Sequence, residues 1–290
     1  MSQTDLLHRF MFDNCDIRGE IVTLTDSFAS IAANNNYSSE ITQLLGEFVA
    51  ACALLSSTLK FDGLISLQAR GEGALSLVMA ECTHHSDVRG IVRLNEAEPL
   101  PSTGANLHDF LGKGVLAITL DPTRGERYQG IVPLEADTLA GCLEHYFAQS
   151  EQLATRLWLS AGEHSAAGLL LQALPQQVAS DDENRDHWET ITTLAATVTD
   201  QELQSIEHST LLYRLFHEHS VRLFSPAAIQ FKCSCSRERS AEALRSLGQA
   251  EVDVLLAETQ VIDIDCQFCN QHYRFDSQDI RALFGPTTLH

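Results

Sequence analysis

Four cysteines near the end of the chain are spaced for chemistry. Cys233 and Cys235 are one residue apart, Cys266 and Cys269 are two apart, and thirty residues lie between the pairs. Four thiolates match the ligand count of a closed tetrahedral zinc site, with sulfurs about 2.3 Å from the metal. Two close dithiols can also form a disulfide switch. "CQFC" lies between the strand-like runs "VIDID" and "HYRF", the setting of a zinc knuckle. Cys-x-Cys is the less common half, because a single intervening residue bends the backbone tightly. The pattern predicts one Zn2+ per chain, held in the reduced state by Cys233, Cys235, Cys266 and Cys269. Closing the intervening segment involves an entropy term of about 3 kcal/mol. Metal binding at such a site supplies roughly 10–16 kcal/mol of apparent folding energy.

Oxidation would act in the opposite sense. The nearest partners along the chain lie within each pair, so Cys233–Cys235 and Cys266–Cys269 are expected among three possible connectivities. Such local bonds would eject the metal and leave nothing tying the two halves together. This unit would unfold on oxidation, whereas an ordinary disulfide stabilises. A helical neighbour that lost its packing partner could then come off the large domain and uncover apolar surface.

Other reactive residues carry weaker signals. Cys15, Cys52, Cys82 and Cys142 stand alone in apolar surroundings and are expected to be buried structural thiols. His84-His85 and His217-Glu218-His219 occupy adjacent positions that point to different faces, so exposed histidines are expected rather than a metal site. The run Asp181, Asp182, Glu183 reads as a solvated linker. There is no Walker loop, no GxGxxG after a strand, no GxSxG elbow and no HExxH, and no enzymatic constellation emerges.

Charge narrows the partners. With 39 acidic and 19 basic residues the net charge is −20, which opposes binding to nucleic acid or an anionic membrane. The N-terminal stretch has acids among its few apolar residues and does not read as a signal peptide. No apolar run reaches the length of a membrane span. A cytoplasmic protein is expected, where thiols stay reduced.

The elements that would position the cysteines fall into three segments: 1–180, an α+β core domain; 181–228, a helical linker region; and 229–290, a small four-cysteine zinc-binding domain. In the first, "RGEIVTLT" reads as a strand and "DSFASIAAN" as a short helix. Ile41, Leu44, Leu45, Phe48, Val49, Cys52 and Leu55 mark one face of a helix capped by Ser38 or Ser39. Two strands flank Gly71-Glu72-Gly73, where glycine suits the positive φ of a tight hairpin. Further strands follow in "RGIVRL", "GVLAITLD", "YQGIVPL", "TRLWLSAG" and "GLLLQAL", with one helix through "DTLAGCLEHYFAQS". The polar run around Pro175 marks a boundary. "TDQELQSIEHSTLLYRLFHEH" reads as a helix with Thr199 and Glu202 in capping-box spacing. Leu203, Leu211, Leu212 and Phe216 on it are candidates for holding clients, though helix core is their ordinary role. In the last segment "AIQFK" leads as a strand into Cys233. A helix capped by Ser240 runs to Gly248, "EVDVLLAE" forms another, and "DSQDIRALF" closes the segment.

"CSCSRER", the thirty-residue spacing, "CQFC" and "YRFD" resemble the redox-regulated chaperone family of heat-shock protein 33. "LTDSF", "LLGE", "LKFDGLISLQARGEG", "YQGIV", "YFAQSEQLATRLWL" and "GLLLQALP" extend the resemblance over the whole chain, in the family's order. The resemblance implies a cytoplasmic, ATP-independent holdase, inactive while reduced and zinc-bound. Peroxide with heat, or hypochlorous acid, would activate it through the four cysteines. Activated members are expected to dimerise and to pass unfolded clients to ATP-dependent foldases. Tyr37-Ser38 and Ala167-Gly168 depart from the family's frequent proline and paired glycines, and neither touches the cysteines.

Two rival readings fit less well. A zinc-ribbon nucleic-acid binder needs a basic face, yet residues 233–290 carry five basic against nine acidic residues. A thiol–disulfide oxidoreductase places its Cys-x-x-Cys at a helix start in a βαβ unit, whereas "CQFC" is expected between strands.

Overall fold

A computed structural model describes residues 5–57, 62–102 and 104–285. The chain forms two compact units that divide between Lys232 and Cys233. Among the described residues there are fourteen strands and ten α-helices, a mixed α+β architecture.

The first unit begins with β1 (Leu6–Phe12) and β2 (Ile17–Leu24), then α1 (Asp26–Ala33) and α2 (Ser39–Ser56). β3 (Gly63–Gly71), β4 (Leu75–Thr83) and β5 (Asp87–Leu94) follow, then α3 (Leu107–Leu111), β6 (Gly114–Pro122) and β7 (Tyr128–Pro133). α4 (Leu139–Tyr146) continues into a π turn over Phe147–Glu151, and β8 (Thr155–Ala161) and β9 (Ala166–Ala173) complete the strands foreseen up to residue 180. Next come α5 (Asp181–Ala195), α6 (Asp200–Ser205), α7 (His208–Phe216) and three short strands, β10 (Val221–Leu223), β11 (Ala227–Ala228) and β12 (Gln230–Phe231).

Two sheets result. The first has the order β10-β1-β2-β9-β8, with β11 also on β1; the second runs β12-β5-β4-β3-β6-β7. All pairings are antiparallel except β12 with β5. α2 is buried on nearly every side, and its Phe48, Cys52 and Leu55 share one core with Val22 and Leu170 of the first sheet and Leu67 and Val78 of the second. Ser38 is its cap, accepting from the Ile41 amide.

The first sheet is covered on its other face too. Leu169 and Leu171 of β9 pack with Phe10, Phe12, Ile17 and Ile21 under α5–α7, while Leu170 faces α2. Burial on both faces explains why β9 reads as an unbroken apolar run. Leu203, Leu211, Leu212 and Phe216 all lie in this second core.

Several local expectations are corrected. Asp181, Asp182 and Glu183 are solvent-exposed as expected, but they form the first turn of α5, behind a Ser180–Glu183 capping box, where carboxylates suit the helix dipole. The run expected as one helix after Thr199 is two, because Ile206 is extended and the Glu207 carboxylate accepts from the Thr210 amide to start a new helix. Gly71 and Gly73 do not have positive φ. They are required by close approach: a Cβ at Gly71 would lie 2.0 Å from the Leu111 carbonyl oxygen, and one at Gly73 2.6 Å from that of Phe110. β1 and β10 have no counterpart among the strands expected from the sequence, and "AIQFK" is split between β11 and β12.

The second unit contains α8 (Arg237–Leu247), α9 (Gln249–Thr259), β13 (Ile262–Asp265), β14 (His272–Phe275) and α10 (Ser277–Phe284). Ser236, not Ser240, caps α8 by accepting from the Arg239 amide, while the Ser240 hydroxyl donates back to the Ser236 carbonyl. Leu244, Val252, Ile262, Phe275 and Ile280 make the buried core. So small a core is typical of units that need a metal or another staple.

Candidate metal centre

Cys233 and Cys235 lie on the extended segment before α8. The Arg239 guanidinium holds it by donating to the Ser234 carbonyl at 2.8 Å and the Ser234 hydroxyl at 2.7 Å. Arg237 lies 4.4 Å from the Phe275 ring centroid and donates to the Arg274 carbonyl at 2.6 Å, fixing the start of α8 against β14.

Cys266 and Cys269 occupy the loop of the β13–β14 hairpin, whose pairing ends at Asp265 and His272. The amides of Cys269 and Asn270 both donate to the Cys266 carbonyl, at 3.3 and 2.7 Å, and the Cys266 amide donates to the Gln271 carbonyl at 3.0 Å. Asn270 takes the left-handed φ of 55° that this reversal demands. The expected knuckle between two strands is present.

The four sulfurs lie within 4.8 Å of one another. Cys233 Sγ is 3.6 Å from Cys266 Sγ, and Cys235 Sγ is 3.4 Å from Cys269 Sγ. A tetrahedron with metal–sulfur bonds of about 2.3 Å has edges of roughly 3.8 Å, so the donor set and spacing fit zinc. The Tyr273 hydroxyl donates to Cys235 Sγ at 3.1 Å.

The thiols are electrostatically unequal. At Cys233, burial opposes ionisation, but hydrogen bonds from the Cys235 amide and the neighbouring thiols outweigh it and lower the pKa. Cys266 and Cys269 are pushed up, in each case by burial first. Without a cation, four thiolates this close repel one another. A bound divalent ion supplies the charge that lets all four ionise.

The four isolated cysteines are buried and of a different kind. Burial pushes the Cys15 thiol up to about 11 and that of Cys82 up to about 12, and raises Cys52 and Cys142 as well. As neutral thiols they make poor nucleophiles and ligands. His84, His85 and His217 are exposed, and His219 is half-buried against Phe12. Among the described residues, the four clustered cysteines are the only group of three or more His, Cys, Asp or Glu side chains placed to hold a metal. Tyr273, Arg237 and Arg239 stand within the sequence motifs, yet residue type alone gives them no role. The pairing of β14 with β13 and the start of α8 are what bring them to the sulfurs.

The fold and site define a two-unit protein: a double-sheet domain with one sheet roofed by helices, and a small unit carrying four cysteines placed to hold a metal. The chain matches the family described as Hsp33 protein over residues 5–276. It is 51% identical over 287 residues to the 33 kDa chaperonin of Azotobacter vinelandii, covering 98% of this chain and 96% of the relative. With the 33 kDa chaperonin of Ectopseudomonas mendocina it shares 53% identity over 283 residues, 97% of this chain and 95% of that one. The crystal structure of the 33 kDa chaperonin (heat shock protein 33 homolog) of Thermotoga maritima superposes with a TM-score of 0.81 at 24% identity, covering 96% of this chain and 97% of that one. The chain belongs to the Hsp33 family, which is a family of chaperones rather than of enzymes. No helix among the described residues is long and apolar enough to cross a membrane.

Proposed function

We propose that this chaperone is a redox-regulated, ATP-independent holdase, switched by Cys233, Cys235, Cys266 and Cys269. The observation that carries the reading is the convergence of these four sulfurs within 4.8 Å in a unit whose own buried core is small. In the reduced state Cys233, Cys235, Cys266 and Cys269 would hold one Zn2+, which would offset half of their thiolate charge and staple the unit. On oxidation by a peroxide, one thiolate attacks an oxygen of the O–O bond, forming a sulfenic acid and releasing hydroxide. A second thiolate then attacks that sulfur, forming the disulfide and releasing a second hydroxide. In the closed cluster the contacts at 3.6 and 3.4 Å run between the pairs, Cys233 to Cys266 and Cys235 to Cys269. Once the cluster opens, chain separation keeps Cys233 near Cys235 and Cys266 near Cys269, which favours those two disulfides.

A covalent route could transmit the change. The residues just before Cys233 are latched to β5: Gln230 Nε2 and Lys232 Nζ reach the Asp87 carboxylate at 2.7 and 3.1 Å. Upstream lie β11 and β10 on β1, and then α7, which covers Phe10 and Phe12. Release of this tail would loosen the cover and expose Leu203, Leu211, Leu212 and Phe216 to unfolding clients. In this reading the protein is cytoplasmic, dimerises when oxidised, binds neither nucleic acid nor membrane, and passes clients to ATP-dependent foldases.

The test follows light scattering from a heat-unfolding client, comparing reduced zinc-loaded protein with peroxide-treated protein and counting released zinc. Suppression only after oxidation, with about one zinc lost per chain, is expected. Equal behaviour in both states, or zinc that stays bound, would refute the switch.

A further inference from the structure

β14 presents Tyr273, opposite Ile264 of β13, so that its hydroxyl lies 3.1 Å from Cys235 Sγ. The ring packs at the edge of the unit's small core. An apolar side chain could fill that place, so packing alone does not account for the hydroxyl on the sulfur. We propose that Tyr273 is a positioning residue of the redox switch: its O–H donates to the Cys235 thiolate, restrains that sulfur's attack on electrophiles, and so sets how readily the metal centre opens. The proposal rests on the redox reading of the four cysteines.

Zinc with four thiolates carries a net double negative charge, in a chain whose own net charge is −20. The acids Asp263, Asp265, Asp276 and Asp279 all fall on the elements next to the centre, in or adjoining β13, β14 and α10. A hydrogen bond to a ligand sulfur withdraws electron density from it and holds it in place. Loss of such an outer partner typically changes metal affinity or activity by 10–100-fold. Attack on a peroxide uses the same sulfur lone pair that the phenol engages. The S–O bond forms as the O–O bond breaks and hydroxide departs, so a sulfur relieved of its donor reacts faster.

The experiment uses the full-length reduced chain carrying Tyr273→Phe, which keeps the ring and removes only the donor. Three quantities are compared with wild type: the rate of zinc release in peroxide, the rate of iodoacetamide alkylation at each cysteine read by mass spectrometry, and the thiolate-to-metal charge-transfer band of the cobalt(II)-substituted protein. About a tenfold rise in zinc release and in Cys235 alkylation is expected, with the band moving to lower energy. A chain carrying 3-fluorotyrosine at 273, a stronger donor, should alkylate more slowly and move the band the other way. It therefore gives an answer even if the phenylalanine variant folds poorly. Unchanged Cys235 alkylation and an unmoved band in both variants would overturn the proposal. Wild-type protein that keeps its zinc in peroxide would instead overturn the redox reading, and the alkylation and band comparisons would still report on Tyr273.

Discussion

Lowering the pH from 7 to 5 should withdraw the contribution that His208 makes to the helical cover over the first sheet. This residue opens α7 and is only 2% exposed. Its Nδ1 lies 2.8 Å from His8 Nδ1 on β1, and its Nε2 lies 2.9 Å from the Thr23 hydroxyl on β2. Neutral rings satisfy both contacts, with one hydrogen in each. Burial lowers the His208 pKa to about 4, with His8 adding to the effect and the Glu207 carboxylate opposing it. His8 is lowered too, by burial first and against the same Glu207. A folded pKa below the unfolded value of about 6.5 means that the folded state resists protonation. Its stabilising contribution is therefore whole above that value and is lost as pH falls towards 4. Between pH 7 and 5 the loss integrates to about 1.8 kcal/mol, or about twentyfold in the unfolding equilibrium.

Urea unfolding followed by tryptophan fluorescence can measure it, because the chain's two tryptophans, Trp158 and Trp188, both pack against the core under α5–α7. Glu20 and Glu47 work in the opposite direction. Burial raises both, Glu47 to about 7, so each favours the folded state as pH falls. The informative quantity is therefore the pH dependence of wild type minus that of His208→Gln. A difference near ~2 kcal/mol is expected. Parallel pH profiles for the two proteins would refute the reasoning.

Other perturbations have equally definite outcomes. The buried Asp16 carboxylate accepts from the amides of Gln177, Val178 and Ala179 and from Asn184 Nδ2, bonds that outweigh burial and bring its pKa down to about 2. Asp16→Ala should lose about 3 kcal/mol at neutral pH, measured by urea unfolding. The wild-type contribution should be whole above its ordinary pKa and should disappear as pH falls towards 2. Gly71→Ala drives a methyl into the Leu111 carbonyl and should destabilise the first unit by about 3 kcal/mol, seen as a lowered Tm. Asp87→Ala removes the acceptor for Gln230 and Lys232, so limited proteolysis around residue 232 should quicken and reduced protein should gain partial holdase activity. Stripping the metal with a chelator should melt the helical signal of the second unit, followed by circular dichroism, and should lower the thermal transition of the first unit only as far as its α5–α7 cover loosens.

The cysteine spacing alone identified the four candidate ligands and the knuckle, because a metal site depends on residue type and short sequence separation. Alternation and helical periodicity likewise located α2 and the strands β2 to β9, since those runs bury apolar residues at regular intervals. What the sequence could not reveal depends on contacts between distant segments. Nothing local requires Gly71 to avoid Leu111, forty residues away, or joins His208 to His8 across two hundred. Capping chemistry misled for related reasons: Ser236 and Ser240 are both plausible caps by type, and only the direction in which the chain leaves Cys235 selects the first. Tyr273 reads as one more aromatic residue in a short strand. The hairpin register decides that its hydroxyl meets the sulfur of Cys235, a candidate ligand, since a shift of one residue would turn it to the opposite face.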